Sequence, residues 1–200
     1  MNGDDTHREI ERYLGEVTAA VAALSVPGLE RVFRLVEDAY RSGRTIFVCG
    51  NGGSASTASH LVVDLAKNTR RSGVVPVRAL SLADHMAGLT AWANDVDYSA
   101  VFSGQLQGLV GPRDVVVGFT TSGNSENILQ AFRAARDADA ITVAFLGADG
   151  GKARELADAY VLAPGSTIEQ QEDLHLMLAH LLTRHMRCVV ARIADPAAVP

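Results

Sequence analysis

The chain has little cysteine: only Cys49 and Cys188 in 200 residues. That excludes a disulfide framework and predicts reduced thiols. It also lacks an excess of positive charge. A formal net charge of −5 leaves no long basic face for a nucleic-acid backbone. No apolar run approaches the length of a membrane span. The opening MNGDDTHREIERY is polar and acidic, unlike a secretory leader. Repeats, linkers and low-complexity tracts are absent too. With 48% hydrophobic residues the chain can fill a core. These absences predict a single domain over 1–200, in the cytoplasm, with neither membrane nor nucleic acid as partner.

What is present alternates. Ile10, Leu14, Val17, Val21 and Leu24 recur at three and four, predicting a first helix capped by Asp5 or Thr6. Pro27 is expected to open a second, carrying Leu29, Val32, Phe33, Val36 and Tyr40, with Gly43 closing it. This helical hairpin, residues 1–43, precedes an α/β core and terminal helix over 44–195. Five short apolar runs predict strands: Thr45–Cys49, Val77–Ser81, Val115–Phe119, Ile141–Leu146 and Tyr160–Leu162. A long helix from about Ile168 to Arg192 follows, and the tail Asp195–Pro200 is expected to fray. Strands alternating with helices imply right-handed crossovers and a parallel sheet covered on both faces. The expected order is 2-1-3-4-5, with a ligand crevice where strands 1 and 3 diverge. The hairpin helices carry apolar residues broadly enough to predict burial between subunits.

Two strand-to-helix turns flank that crevice: IFVCGNGGSAS at Ile46–Ser56 and VVVGFTTSGNS at Val115–Ser125. Glycine permits close backbone approach, while hydroxyls and unpaired helix N–H groups make an anion site. A phosphorylated small molecule held from both sides is the expected ligand. A P-loop would require a lysine after the final glycine, and GNGGSAS has none. Gly50–x–Gly52–x–x–Ala55 satisfies the dinucleotide spacing, yet the ribose acid is missing where Ala79-Leu80-Ser81 stands. No nucleotide cofactor is expected.

Acid–base groups cluster on two helices. His60 and Asp64 are four apart and share a face, a spacing for two metal ligands or a base with its orienting partner. Glu172 and His180 are eight apart, about 80° around a helix, whereas Gln171 and His180 are about 180° apart. Geometry therefore favours Glu172 over Gln171 beside His180. His175 lies on a different helix face and reads as structural. His7, His85 and His185 read as surface residues, and Cys49 as packing.

GNGGSASTASH, the pair Asn94-Asp95, GFTTSGNSENILQAFRAAR and LGADGGK resemble sugar-isomerase (SIS) domain proteins, within them the phosphoheptose isomerases. The resemblance covers nearly the whole chain. It implies a flavodoxin-like three-layer αβα sandwich with a five-stranded parallel sheet, a homotetramer with shared sites, and aldose–ketose isomerisation of sedoheptulose 7-phosphate. Phosphate would be held by Ser54, Thr120, Ser122 and Ser125, with Asn51 and Thr121 alongside. Gly52, Gly53, Asn94, Asp95 and Glu172 would line the substrate. The resemblance also implies a divalent ion, zinc in the first instance, held by His60, Asp64, Glu172 and His180. The family places glutamate and glutamine where this chain has Asp64 and Glu172, and a one-residue slip would bring Gln171 into that place. Asp64 and His180 would carry the proton transfers. The departures keep two other readings open: an isomerase of another long ketose phosphate, such as an octulose 8-phosphate, and a non-catalytic phosphosugar-binding adaptor.

Overall fold

A computed structural model describes residues 3–195. The tail beyond Asp195, expected to fray, lies outside the described residues. Helix α1 covers Gly3–Ala22 and α2 covers Val26–Arg41. The first begins ahead of Asp5 and Thr6, so neither caps it. Asp4 and Asp5 instead stand in its first turn, where carboxylates favour the helix dipole. Ser25 caps α2, its Oγ accepting from the Gly28 N–H at 3.2 Å. Pro27 follows as the second helical residue rather than the first. Gly43, at φ 67°, turns the chain into the sheet.

The core then alternates: β1 (Thr45–Gly50), α3 (Gly53–Val63), β2 (Arg78–Ser81), α4 (Met86–Asp95), α5 (Ser103–Leu106), β3 (Val115–Thr120), α6 (Glu126–Asp137), β4 (Ile141–Leu146), α7 (Ala153–Leu156), β5 (Ala159–Leu162) and α8 (Ile168–Ala194). A π-helical turn, Asp64–Asn68, extends α3, and a 3-10 turn, Tyr98–Ala100, follows α4. All strand pairs are parallel, in the order β2-β1-β3-β4-β5. The expected order is observed, with strand ends shifted by one residue at most.

Both faces of β1, β3 and β4 are buried, which is why these segments read as apolar runs rather than alternating ones. Val48, Val117 and Phe145 pack under Val36, Leu61, Leu65, Leu178 and Leu182, from α2, α3, the π-turn and α8. Phe47, Cys49, Val116 and Ala144 pack under Phe102, Ile128 and Phe132 on the opposite face. The result is three layers, α/β/α. Burial pushes the Cys49 thiol up to about 12, so it is a packing group and not a nucleophile. Among the described residues no helix is long and apolar enough to cross a membrane.

His175 anchors α8 to the sheet. Its Nε2–H donates to the Leu146 carbonyl at 3.1 Å, since a carbonyl can only accept, and its ring lies against Phe119 and Phe145. Nδ1 is buried without a hydrogen-bond partner. Burial lowers the pKa to about 4, outweighing the upward pull of the Leu146 bond. The unfolded imidazole titrates near the ordinary 6.5, so on acidification the unfolded chain takes up the proton first. Stability is therefore expected to fall between about pH 6.5 and pH 4, by about 3 kcal/mol from this group. Urea unfolding at pH 7, 5.5 and 4.5, compared with His175→Gln, checks this: the variant must show a shallower pH slope.

Candidate active site

The two turns converge at the carboxyl edge of the sheet, between β1 and β3, where the strand order reverses and open α/β sheets bind ligands. Each feeds a helix N-terminus whose cap residue, Gly52 or Ser125, makes no side-chain capping bond. The first N–H groups are thereby left to a ligand. Gly52 has φ 56° and ψ −123°, a conformation only glycine adopts without strain. At Gly50 a Cβ would collide with the Ser54 carbonyl oxygen and stand 2.6 Å from the Ser54 carbonyl carbon. The compact turn therefore requires glycine there.

The second turn is braced by its own hydroxyls. Thr120 Oγ1 accepts from the Gly123 N–H at 3.1 Å, and Ser122 Oγ from the Asn124 N–H at 3.2 Å. Accepting in this way leaves each hydroxyl proton free to donate to an anion. Among the described residues, the side chains of Ser54, Thr121 and Ser125 make no hydrogen bond. The loop after β4 supports the turn from outside, through Ala153 N–H to Gly123 O at 2.9 Å and Lys152 N–H to Asn124 Oδ1 at 3.2 Å.

Asn51 and Asn127 join the two turns. Their amides exchange hydrogen bonds of 2.9 and 2.8 Å, and Tyr98 Oη donates to Asn51 Oδ1 at 3.0 Å. Asn51, expected alongside phosphate, is thus engaged in fixing the gap between the turns. Asn127 and Tyr98 escaped the sequence reading, because their roles depend on a partner from a different strand–helix unit. Asn94 and Asp95 end α4, exposed and bonded to each other at 2.8 Å. The bond from this segment to the turns comes from Tyr98.

Helices α3 and α8 lie side by side and run in the same direction. Glu172 meets α3 at Gly53, and His180 meets it at His60. His60 Nε2 and His180 Nε2 face each other at 3.1 Å, and Asp64 Oδ2 is 3.7 Å from His60 Nε2. Ligand atoms of all three residues lie within 4.8 Å of one another. Two imidazole nitrogens on a tetrahedral zinc would stand about 3.3 Å apart, so this donor set fits such an ion. Asn68 Nδ2 donates to Asp64 Oδ1 at 2.6 Å across the π-turn, which leaves Oδ2 toward the imidazoles.

Glu172 departs from the expected ligand set. Its carboxylate lies against Gly53, where a Cβ would stand 2.6 Å from Oε1. From there to His180 is eight residues, about 12 Å of helix. The 80° separation is compatible with a shared face, but the rise places Glu172 at the glycine turn, outside the His60–Asp64–His180 cluster. Gln171 is no substitute. Its Nε2 donates to Gly165 O at 2.9 Å, and its amide oxygen occupies the space a Cβ on Gly147 would need. His185 also differs from expectation: it is half-buried, bonded to Glu37 Oε2 at 2.9 Å, with its ring tilted against Phe33.

The SIS domain family model matches residues 11–147. A phosphoheptose isomerase of Paramagnetospirillum magneticum is 34% identical over 184 residues, covering 92% of this chain and 95% of the relative. One from Solidesulfovibrio magneticus is 39% identical over 180 residues, covering 88% and 87%. The solved structure of a phosphoheptose isomerase from Francisella tularensis superposes with a TM-score of 0.85 at 26% identity, covering 94% of this chain and 98% of that one.

Proposed function

The chain belongs to the phosphoheptose isomerases of the SIS-domain family, and from that premise we propose that it interconverts sedoheptulose 7-phosphate and a heptose 7-phosphate through an enediol. The observation that carries this reading is the arrangement along α3. The hydroxyl-rich turns stand at its N-terminus, and the His60–Asp64–His180 cluster lies two turns further on. From Ser54 to His60 the helix rises about 9 Å. A triose phosphate would not bridge that span, whereas a long open-chain sugar phosphate would. The phosphate is held by the hydroxyls of Ser54, Thr120, Thr121, Ser122 and Ser125, together with the N–H groups opening α3 and α6. Glu172, Gly52 and Gly53 line the sugar beside the glycine turn, with Asn94 and Asp95 at its outer side.

Isomerisation requires removal of a proton from C1, return of a proton to C2, and transfer of a proton between the two oxygens. Asp64 serves as the base, its Oδ1 held by Asn68 and its Oδ2 facing the imidazoles. His180 handles the oxygen-bound proton, its imidazole held against His60. His60, Asp64 and His180 would hold a divalent metal such as zinc; when bound, it polarises the sugar oxygens as a Lewis acid. Retention of all three ligands in one cluster favours an enzyme over a phosphosugar-binding adaptor.

The assembled form is a homotetramer located in the cytoplasm. Ile10 and Leu14 on α1 are 55% and 60% exposed, an apolar stripe that a second copy would cover. The test of function is incubation with sedoheptulose 7-phosphate in D2O, with and without prior chelation. Deuterium at C2 of the aldose, lost on chelation, is the expected result. Tight binding without exchange would refute the isomerase, and full exchange after chelation would remove the metal from it.

A further inference from the structure

The first turns of α8 bring the two crevice walls together. Gln171 reaches the Gly147 wall beside the serine turn, and Glu172 reaches Gly53 at the glycine turn. Their neighbours on either side, Gln170 and Asp173, project from the opposite face of the helix, about 60° apart. Both are tied to α1. Gln170 Nε2 donates to Glu16 Oε2 at 2.6 Å, and Tyr13 Oη donates to Asp173 Oδ2 at 2.5 Å. Gln170 is 1% exposed, and its Oε1 also accepts from the Ser166 N–H at 2.8 Å and Ser166 Oγ at 2.9 Å.

We propose that Tyr13 and Glu16 are positioning residues for substrate binding: acting through Asp173 and Gln170, they hold the turn of α8 that carries Gln171 and Glu172 over the crevice. The inference rests on the isomerase reading above. The physical case is that apolar packing does not hold this end of α8, which depends on side-chain hydrogen bonds. Ile168 is 62% exposed, and hydrophobic burial on α8 begins only at Leu174. Helix ends fray where their N–H groups lack partners, so side-chain anchors decide the order of the first turn. The Thr167 cap secures one N–H, that of Gln170, at 3.4 Å. The two bonds to α1 supply the lateral restraint. The Asp173 bond also holds the phenol proton, with the Tyr13 pKa raised to about 12. Through these bonds the N-terminal helix becomes part of the site's framework.

The test uses the full chain with sedoheptulose 7-phosphate. Tyr13→Phe removes only the hydroxyl, and Glu16→Ala removes the acceptor, whereas Glu16→Gln keeps an amide oxygen for Gln170. Tyr13→Phe and Glu16→Ala are expected to raise KM about three- to tenfold with kcat within about twofold of wild type. Glu16→Gln is expected to stay close to wild type. Amide hydrogen exchange over residues 168–173 should quicken in the first two variants alone. Unchanged KM in both, or a loss confined to kcat, overturns the proposal while wild-type turnover stands. A wild-type protein that does not isomerise the substrate refutes the isomerase reading itself, whatever the exchange data show.

Discussion

His180→Gln is expected to lower kcat by at least about 100-fold, within the range that general acid–base groups contribute. The native fold should survive, because His180 is exposed and its neighbours in the core, Ala179 and Leu182, are untouched. Asp64→Asn should act comparably. Its Oδ1 still accepts from Asn68, so the π-turn remains, but the negative charge facing His60 is gone. In both variants phosphate affinity should stay within about threefold of wild type, since the hydroxyl turns lie two helical turns away. Steady-state kinetics with calorimetric titration of inorganic phosphate separates the two effects. Activity within threefold of wild type in either variant would remove that residue from the reaction.

Gly50→Ala is expected to destabilise the protein by about 2 kcal/mol or more, the range for forcing atoms into a packed site. The added Cβ meets backbone on every side: the Ser54 carbonyl and, at 3.0 Å, the Ala55 nitrogen. Nothing there can rotate away, so the β1–α3 turn must open and phosphate binding should weaken with it. Gly53→Ala makes an instructive contrast. Its Cβ meets the far end of Glu172, which can swing aside, so stability should change by less than about 1 kcal/mol. The displaced carboxylate should instead raise KM. Urea midpoints for the two variants, measured beside their kinetics, check the pair. Equal destabilisation would mean that Glu172 is as rigid as the backbone.

These two predictions draw on different kinds of information. The hydroxyl turns and the glycine spacing were legible in the sequence because a tight β-to-α turn is a local event, decided by residues within a dozen positions. The His60 and Asp64 spacing was legible for the same reason. Gln171 and Glu172 were ambiguous because a helical wheel gives rotation about an axis and says nothing of distance along a neighbour. Only the parallel alignment of α3 with α8 set Glu172 against Gly53 and His180 against His60. The expected Asp5 or Thr6 cap failed because an acidic first turn and a true cap look alike in sequence, differing by where the helix begins.

By itself the sequence determined the strand–helix alternation and two glycine- and hydroxyl-rich turns with no lysine in either, since apolar periodicity and turn chemistry act over short range. The tertiary structure decided the sheet order and which carboxylate stands at which end of α3. It brought together His60, Asp64 and His180, tied Asn51 to Asn127, and left Glu172 at the glycine turn. Those contacts join residues up to 120 positions apart. They depend on how helices pack across the sheet, and helix packing is set by the sum of many side-chain contacts rather than by any local pattern.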